Sequence, residues 1–356
     1  MRVLYDGYIF FLQKAGGVNR YFHEIIARLP TSVRPTLYGS HRPALHPPCH
    51  PNLRWKTPPR LAGLVRPALR WWSSSFDVIH PSYYHLTHPF DWSSLRKPVV
   101  LTVYDFVFSK YAHRYERSEK LLHDQGAAIR RADIILCISH STRADLLERF
   151  PDCEGRSLVT HLASNLPPPG DSPRLHGKPY FLFVGARVFY KNFDLAVGAV
   201  EILNRCGHGV DLLVVGPPLT GAENMRLVER GADRFVKLFE FPPDEVLASL
   251  YAHCVALIYP SEYEGFGLPP LEAMTQGAPV LALRSSSLPE VVGEGGILID
   301  PRSATSEAFA GAAGELLESE RRRETISRAA IERSRKFSWD RTASETYAAY
   351  LRAAGG

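Results

Sequence analysis

The chain has 356 residues, 45% hydrophobic, 22% charged and 11% aromatic, which supports about two domains with their own cores and excludes a disordered, collagen-like or coiled-coil protein. With 42 Lys and Arg against 37 Asp and Glu the net charge is +5, enough to favour anionic ligands but too small and scattered for nucleic-acid binding. Five cysteines (Cys49, Cys137, Cys153, Cys206 and Cys254) are odd in number and show no C-x-x-C pair or zinc-type Cys/His spacing. That usage fits a reduced, cytoplasmic compartment. The N-terminal MRVLYDGYIFF reads as the start of a strand, not as a signal peptide. No run reaches the roughly 18 apolar residues needed to span a bilayer.

In chain order, strands are expected near Arg2–Tyr5, Asp77–His80, Val99–Tyr104 and Ile134–Ser139, with helices at about Gly17–Leu29, Leu61–Trp72, Ser118–Arg131 and Ser141–Phe150. The polar, Pro- and Gly-dense stretch 165–179 reads as a linker. The pattern then restarts with strands Tyr180–Gly185, Asp211–Gly216, Arg234–Phe239, Val255–Tyr259 and Pro279–Leu283. Helices alternate with them at Asn192–Arg205, up to about Gly231, at Asp244–His253 and at Pro269–Gln276, and further helices fill 303–354. Alternation at this spacing predicts two parallel, doubly wound sheets in tandem. Ligands of such sheets lie beyond the carboxyl ends of the strands.

Residues 60–72, RLAGLVRPALRWW, place Leu61, Leu64, Val65, Ala68, Leu69 and Trp72 on one stripe, with Arg66 and Arg70 off it. That pattern fits a helix packed on a sheet, or a basic helix resting on an anionic membrane surface. His80, His85 and His88 resemble a metal cluster, but their segment is aromatic and has no acidic neighbour in sequence, so no metal is expected there. His80 and His140 follow strands and are expected on the ligand side.

The most informative segment is 260–280, PSEYEGFGLPPLEAMTQGAPV. A strand delivers a loop, Pro269 and Pro270 open a helix, and Gly277 closes it. Gly265 and Gly267 leave backbone N–H groups uncovered just before a positive helix end, which makes a cradle for an anion. Glu264 and Glu272 bracket it; taken alone, the same residues could make only a turn and a complement to the helix dipole. Arg187 and Lys191 sit between a strand and a helix, where Arg offers phosphate a fork and Lys a point charge.

The E-G-F-G-L-P-P-L-E run from Glu264 to Glu272 resembles the retaining nucleotide-sugar glycosyltransferases of family 4. Gly16-Gly17-Val18, Thr102-Val103-Tyr104-Asp105, Ser139 with Ser141 and Asp145, Gly185-x-Arg187-x-x-Tyr190-Lys191-Asn192, Ser287-Leu288-Pro289-Glu290 and Phe337-Ser338-Trp339 resemble the family's other motifs in order. The resemblance covers nearly all of the chain.

It implies an α/β fold of the GT-B kind, two doubly wound Rossmann-like domains facing a central cleft. Residues 1–168 would bind acceptor, 169–338 would bind the donor nucleotide sugar, and a C-terminal helix at 339–356 would pack back on the first domain. Glu264 would lie at the donor sugar's hydroxyls and leaving-group side without acting as a nucleophile, and Glu272 at the ribose. Arg187 and Lys191 would hold the diphosphate, approached by Gly16 and Gly17, while Gly265, Phe266, Gly267 and Leu268 would form the donor loop. Tyr104 stands where many members carry a sugar-contacting His, followed by Asp105. With no D-x-D pair, neither a metal nor a cofactor is expected, the nucleotide sugar being substrate.

The motif detail is most like a mannosyltransferase branch. It implies transfer from GDP-mannose, rather than a UDP-sugar, to a glycan or lipid-linked acceptor in surface polysaccharide synthesis at the cytoplasmic side of a membrane. The alternatives are transfer to a small phosphorylated acceptor and a non-catalytic nucleotide-sugar scaffold. A nicotinamide enzyme is set aside because no G-x-G-x-x-G follows the first strand of either half.

Overall fold

The computed structural model describes residues 1–12, 16–39, 47–57, 73–87, 90–116, 118–167 and 173–355. The amphipathic stretch expected at Leu61–Trp72 and the residue His88 lie outside them. Two compact units are present: residues 1–162 with 338–356, and residues 163–337. Among the described residues no helix is long and apolar enough to cross a membrane.

Unit 1 contains β1 (Arg2–Asp6), β2 (Arg34–Tyr38), β3 (Arg54–Lys56) and β4 (Val78–Pro81), ordered β3-β2-β1-β4. It also contains β5 (Val100–Val103), β6 (Ile134–Cys137) and β7 (Ser157–Val159), ordered β5-β6-β7. A parallel bridge between Ile79 and Val99 joins the two sets, and every pairing is parallel. Strands β2 and β3 were not expected from the sequence. Pro35 in β2 carries no ladder donor, which demotes the run as a strand, and β3 is three residues long.

The helices of unit 1 are α1 (Tyr8–Leu12), α2 (Gly17–Ala27), α3 (Val107–Lys110), α4 (Ser118–Arg131), α5 (His140–Arg149) and the terminal helix, α13 (Trp339–Gly355). The terminal helix packs on α2 and on β4, β5 and β6, burying Trp339, Ala343, Ala349 and Tyr350.

Unit 2 holds β8 (Tyr180–Val184), β9 (Asp211–Gly216), β10 (Val236–Glu240), β11 (Leu257–Tyr259), β12 (Val280–Leu283) and β13 (Gly296–Ile299). They form one parallel sheet ordered β10-β9-β8-β11-β12-β13. Its helices are α6 (Phe193–Arg205), α7 (Gly221–Glu229), α8 (Asp244–His253), α9 (Leu268–Thr275), α10 (Leu288–Val292), α11 (Ser306–Glu318) and α12 (Glu320–Ser334). Strands β8 and β9 are buried throughout, so β8 and residues 212–215 of β9 are continuous apolar runs and not alternating ones. Apolar side chains of α6 and α11, including Val197, Val200, Phe309 and Ala313, complete the core on this sheet.

The strand order reverses between β8 and β11, and a crevice forms at the carboxyl ends of strands where the order reverses. The loops that follow β8 and β11 carry the Arg187–Lys191 and Glu264–Gly267 segments.

Candidate active site

The loop after β8 begins at Gly185, whose φ of 126° is one that only glycine adopts freely. A Cβ added to Gly216, the last residue of β9, would sit 2.6 Å from the Gly185 carbonyl oxygen and 3.6 Å from Arg187 Nη1. One on Gly185 would lie 3.4 Å from Lys191 Nζ. The two glycines therefore let adjacent strand ends close up with a cation standing over each.

Asn192 closes the loop in a left-handed conformation, φ 48° and ψ 47°, at the start of α6. Its Nδ2 donates to the Pro260 carbonyl at 3.0 Å and to Glu262 Oε1 at 3.1 Å. The Glu262 N–H donates to the Tyr190 carbonyl at 2.8 Å. The loops after β8 and β11 are thus stitched together by backbone and amide, which fixes where Lys191 and Glu264 meet.

They meet directly. Glu264 Oε1 accepts from the Tyr259 hydroxyl at 2.8 Å and from Ser261 Oγ at 2.7 Å, and pairs with Lys191 Nζ at 3.0 Å. Lys191 also donates to the Tyr259 hydroxyl at 2.9 Å. Three donors meet on Oε1, and among the described residues none meets Oε2. Burial first, and then the charge of Glu264 and more weakly of Glu272, raises the Tyr259 phenol well above its ordinary range. It stays a neutral donor fixed between the carboxylate and the ammonium.

Three serines hold the loop from behind. Ser286, with φ 47°, accepts the Glu264 N–H at 2.8 Å. Ser287 Oγ reaches the carbonyls of Glu264 and Phe266, each at 2.8 Å, and Ser285 donates to the Glu262 carbonyl. Gly267 is left-handed, φ 101°, and a Cβ there would lie 3.1 Å from Leu288 Cδ2. Leu268 then begins α9, with prolines in its first turn, and Phe266 packs edge-on against Phe337 at 5.6 Å. Glu272 is buried and accepts from the Tyr251 hydroxyl at 3.2 Å.

Arg187 is not a solvated cation. Its side chain is 3% exposed, Nε donates to Glu223 Oε1 at 2.8 Å, and Nη2 donates to the Pro218 carbonyl at 2.7 Å. Glu223 is the partner that sequence reasoning missed. The T-x-x-E run at Thr220–Glu223 does mark a capping box, which α7 has, but nothing in it points to Arg187. Tyr259, Ser261, Ser286 and Gly216 were missed as well, because each is local punctuation until the strands pair.

Unit 1 treats its expected site residues differently. His80 was expected on the ligand side and is instead wholly buried, with Nδ1 2.6 Å from the Tyr350 hydroxyl and Nε2 2.9 Å from Thr102 Oγ1. Burial pushes its imidazole down to about 3, so it is a neutral core residue. Tyr104, expected to contact sugar, is also buried; its hydroxyl donates to the Ser82 carbonyl at 3.4 Å and its ring packs edge-on against Tyr21. Tyr21 and Phe22 of α2 and Tyr350 of α13 pack against these residues, which therefore face inward.

Asp105 is half-buried and Oδ1 accepts the Val107 N–H at 3.0 Å, bracketing the start of α3. His140 is exposed at the start of α5, its ring 5.6 Å from that of His161. His85, set aside as a metal ligand for want of an acidic neighbour in sequence, pairs with Asp124 at 2.6 Å. Gly16 is extended, and its carbonyl accepts the Arg20 N–H at 3.1 Å as Gly17 begins α2.

The family described as Glycosyl transferases group 1 matches residues 170–333, and Glycosyltransferase Family 4 matches residues 15–161. The chain is 31% identical over 252 residues to the O-antigen chain mannosyltransferase B of Escherichia coli, covering 67% of this chain and 64% of that protein's length. It is 28% identical over 320 residues to a D-inositol 3-phosphate glycosyltransferase of Corynebacterium efficiens, covering 82% and 75%. Among solved structures, the sucrose-phosphate synthase of Thermosynechococcus elongatus superimposes with a TM-score of 0.76 at 22% identity, over 99% and 98% of the two chains. Anabaena HepE in complex with UDP and glucose superimposes with 0.74 at 18% identity, over 97% and 98%. The fold is therefore GT-B.

Proposed function

The chain belongs to glycosyltransferase family 4, and from that membership we propose that it moves a hexose, mannose from GDP-mannose, onto a hydroxyl of a glycan or lipid-linked glycan with retention of configuration. The observation that carries the reading is the Lys191–Glu264 pair at 3.0 Å, fixed by Tyr259 beside the Gly185 turn. In the transfer the bond from the sugar's anomeric carbon to the diphosphate oxygen breaks, and its electron pair leaves with the nucleoside diphosphate. The acceptor oxygen bonds to the same face of that carbon, and its proton passes to the departing phosphate oxygen.

Lys191, Arg187 and the N-terminus of α9 would take up the charge that grows on the leaving group, so they act more strongly in the transition state than before it. Oε2 of Glu264 would accept from a sugar hydroxyl, and Glu272 from the ribose. No divalent ion would be needed. Surface polysaccharide synthesis, and a site of action at the cytoplasmic face of a membrane, fit the similarity to an O-antigen mannosyltransferase. The similarity to a D-inositol 3-phosphate glycosyltransferase supports a second reading, a small phosphorylated acceptor.

Calorimetric titration with GDP and UDP in EDTA tests the donor site. Micromolar binding of GDP with weak UDP binding is expected. The reverse preference would replace mannose by a UDP-sugar, and binding of neither would overturn the reading.

A further inference from the structure

We infer that Glu223 is a positioning residue: it fixes the plane of the Arg187 guanidinium so that Nη1 alone faces the diphosphate. The inference rests on the donor-site reading of Arg187 and adds to it a residue from a separate helix. Glu223 lies in the first turn of α7, 36 positions after Arg187. Its carboxylate meets the guanidinium side-on, with Nε to Oε1 at 2.8 Å and Nη2 to Oε2 at 3.3 Å, while Nη2 also donates to the Pro218 carbonyl at 2.7 Å.

The carboxylate is itself fixed. Oε2 accepts from the Thr220 N–H at 2.7 Å and from Thr220 Oγ1 at 2.9 Å. Burial opposes its ionisation, but the hydrogen bonds from Arg187 and Thr220 outweigh burial and hold its pKa below the usual carboxylate range. Arg187 therefore cannot swing freely; its ring-facing side lies over Phe193 at 5.9 Å.

Nη1 is what remains. It is buried, has no hydrogen-bond partner among the described residues, and lies 3.6 Å from where a Cβ on Gly216 would be, at the carboxyl ends of β8 and β9. A buried guanidinium nitrogen without an acceptor is costly, and a phosphate oxygen on the ligand side of the sheet would satisfy it. Because Glu223 already balances the charge of Arg187, bulk attraction is not what the pair adds. It adds direction, and the property it should control is discrimination between a nucleoside diphosphate and the monophosphate that lacks the outer phosphate.

The test is calorimetry of the full chain with GDP against GMP, or UDP against UMP if the uridine nucleotide binds more tightly. Arg187→Ala and Glu223→Ala are each expected to lower the diphosphate-to-monophosphate affinity ratio about tenfold, the size of one charge-assisted hydrogen bond. The double variant should lose no more than either single one, and Glu223→Gln, whose amide oxygen still accepts from Nε, should recover part of the loss.

Thr220→Ala removes the hydroxyl that caps the helix and donates to Oε2 but keeps the backbone N–H donor and the Arg187 contact, so it should lower the ratio clearly less than Glu223→Ala does; a drop equal to that of Glu223→Ala would assign the effect to the cap and overturn the inference. It is also overturned if Glu223→Ala raises diphosphate affinity, since the carboxylate would then compete with phosphate, or if only Arg187→Ala changes the ratio. If Arg187→Ala leaves the ratio intact, the donor-site role of Arg187 fails with it. If wild type binds neither diphosphate, the functional reading itself is what fails.

Discussion

Two units with parallel sheets and a reversal of strand order use their strand ends in opposite ways. In unit 2 the polar residues after β8 and β11 hold one another, with Lys191, Tyr259 and Ser261 each within 3.0 Å of Glu264 Oε1. In unit 1 the ends of β1, β4 and β5 turn inward. Tyr5, Tyr350, His80, Thr102 and Tyr21 form a buried chain of contacts at 2.6–3.0 Å. A position at a strand's carboxyl end thus does not decide whether a side chain serves a ligand or the core. The two ends differ in their partners: a tyrosine of the terminal helix in unit 1, and a lysine of the neighbouring loop in unit 2.

The largest effect is expected at Lys191. Lys191→Ala should lower the rate of sugar transfer by roughly 10²–10³-fold, as loss of a preorganised charge does, with the thermal midpoint little changed; retained turnover would remove the loop from the chemistry. His80→Ala is the counterpart in unit 1. It should cost about 3 kcal/mol in denaturant unfolding, because it opens a cavity and strips partners from two buried hydroxyls, while nucleotide affinity stays at the wild-type value. A stable His80→Ala that has lost transfer would return this residue to the active site.

Asp6 gives a smaller effect with a definite sign. Its carboxyl accepts from the Thr87 N–H at 2.7 Å, from the Tyr8 N–H at 2.9 Å and from Thr87 Oγ1 at 3.0 Å. Burial nevertheless outweighs these bonds and pushes its pKa up to about 7. The unfolded chain releases this proton near pH 4 and the folded chain only near 7, so this group makes stability fall as pH rises between them, by at most about 1.4 kcal/mol per pH unit. Unfolding curves of Asp6→Asn across that window should show the slope removed. Tyr104→Phe should matter least, giving less than about 1 kcal/mol of destabilisation for one long hydrogen bond and transfer within about twofold of wild type. A large kinetic loss there would mean that the tyrosine leaves its buried position to meet the sugar.

Much of unit 2 could be read from sequence because its information is local. A strand, a glycine turn and a helix start are consecutive, so Gly185, Arg187, Lys191, Glu264 and Gly267 could be placed on loops before any sheet was seen. What could not be read is which loops pair. Glu223 and Arg187 are 36 positions apart and Ser286 and Glu264 are 22 apart, and their contacts follow from strand order. His80 fails for the same reason at greater distance: its cover, Tyr350, lies 270 positions away. Strand β13 (Gly296–Ile299), at the edge of its sheet, was also not read from the sequence.

That last separation has a consequence for the order in which the molecule is made. Unit 2 is one continuous stretch, whereas unit 1 needs residues 338–356 as well as 1–162. At about 5–20 residues per second on the ribosome, roughly 14–54 s pass between synthesis of His80 and of the tyrosine that satisfies it. Throughout that interval the nascent first half carries a polar seam without its cover. The second half, begun later, is the first to have all of its sequence.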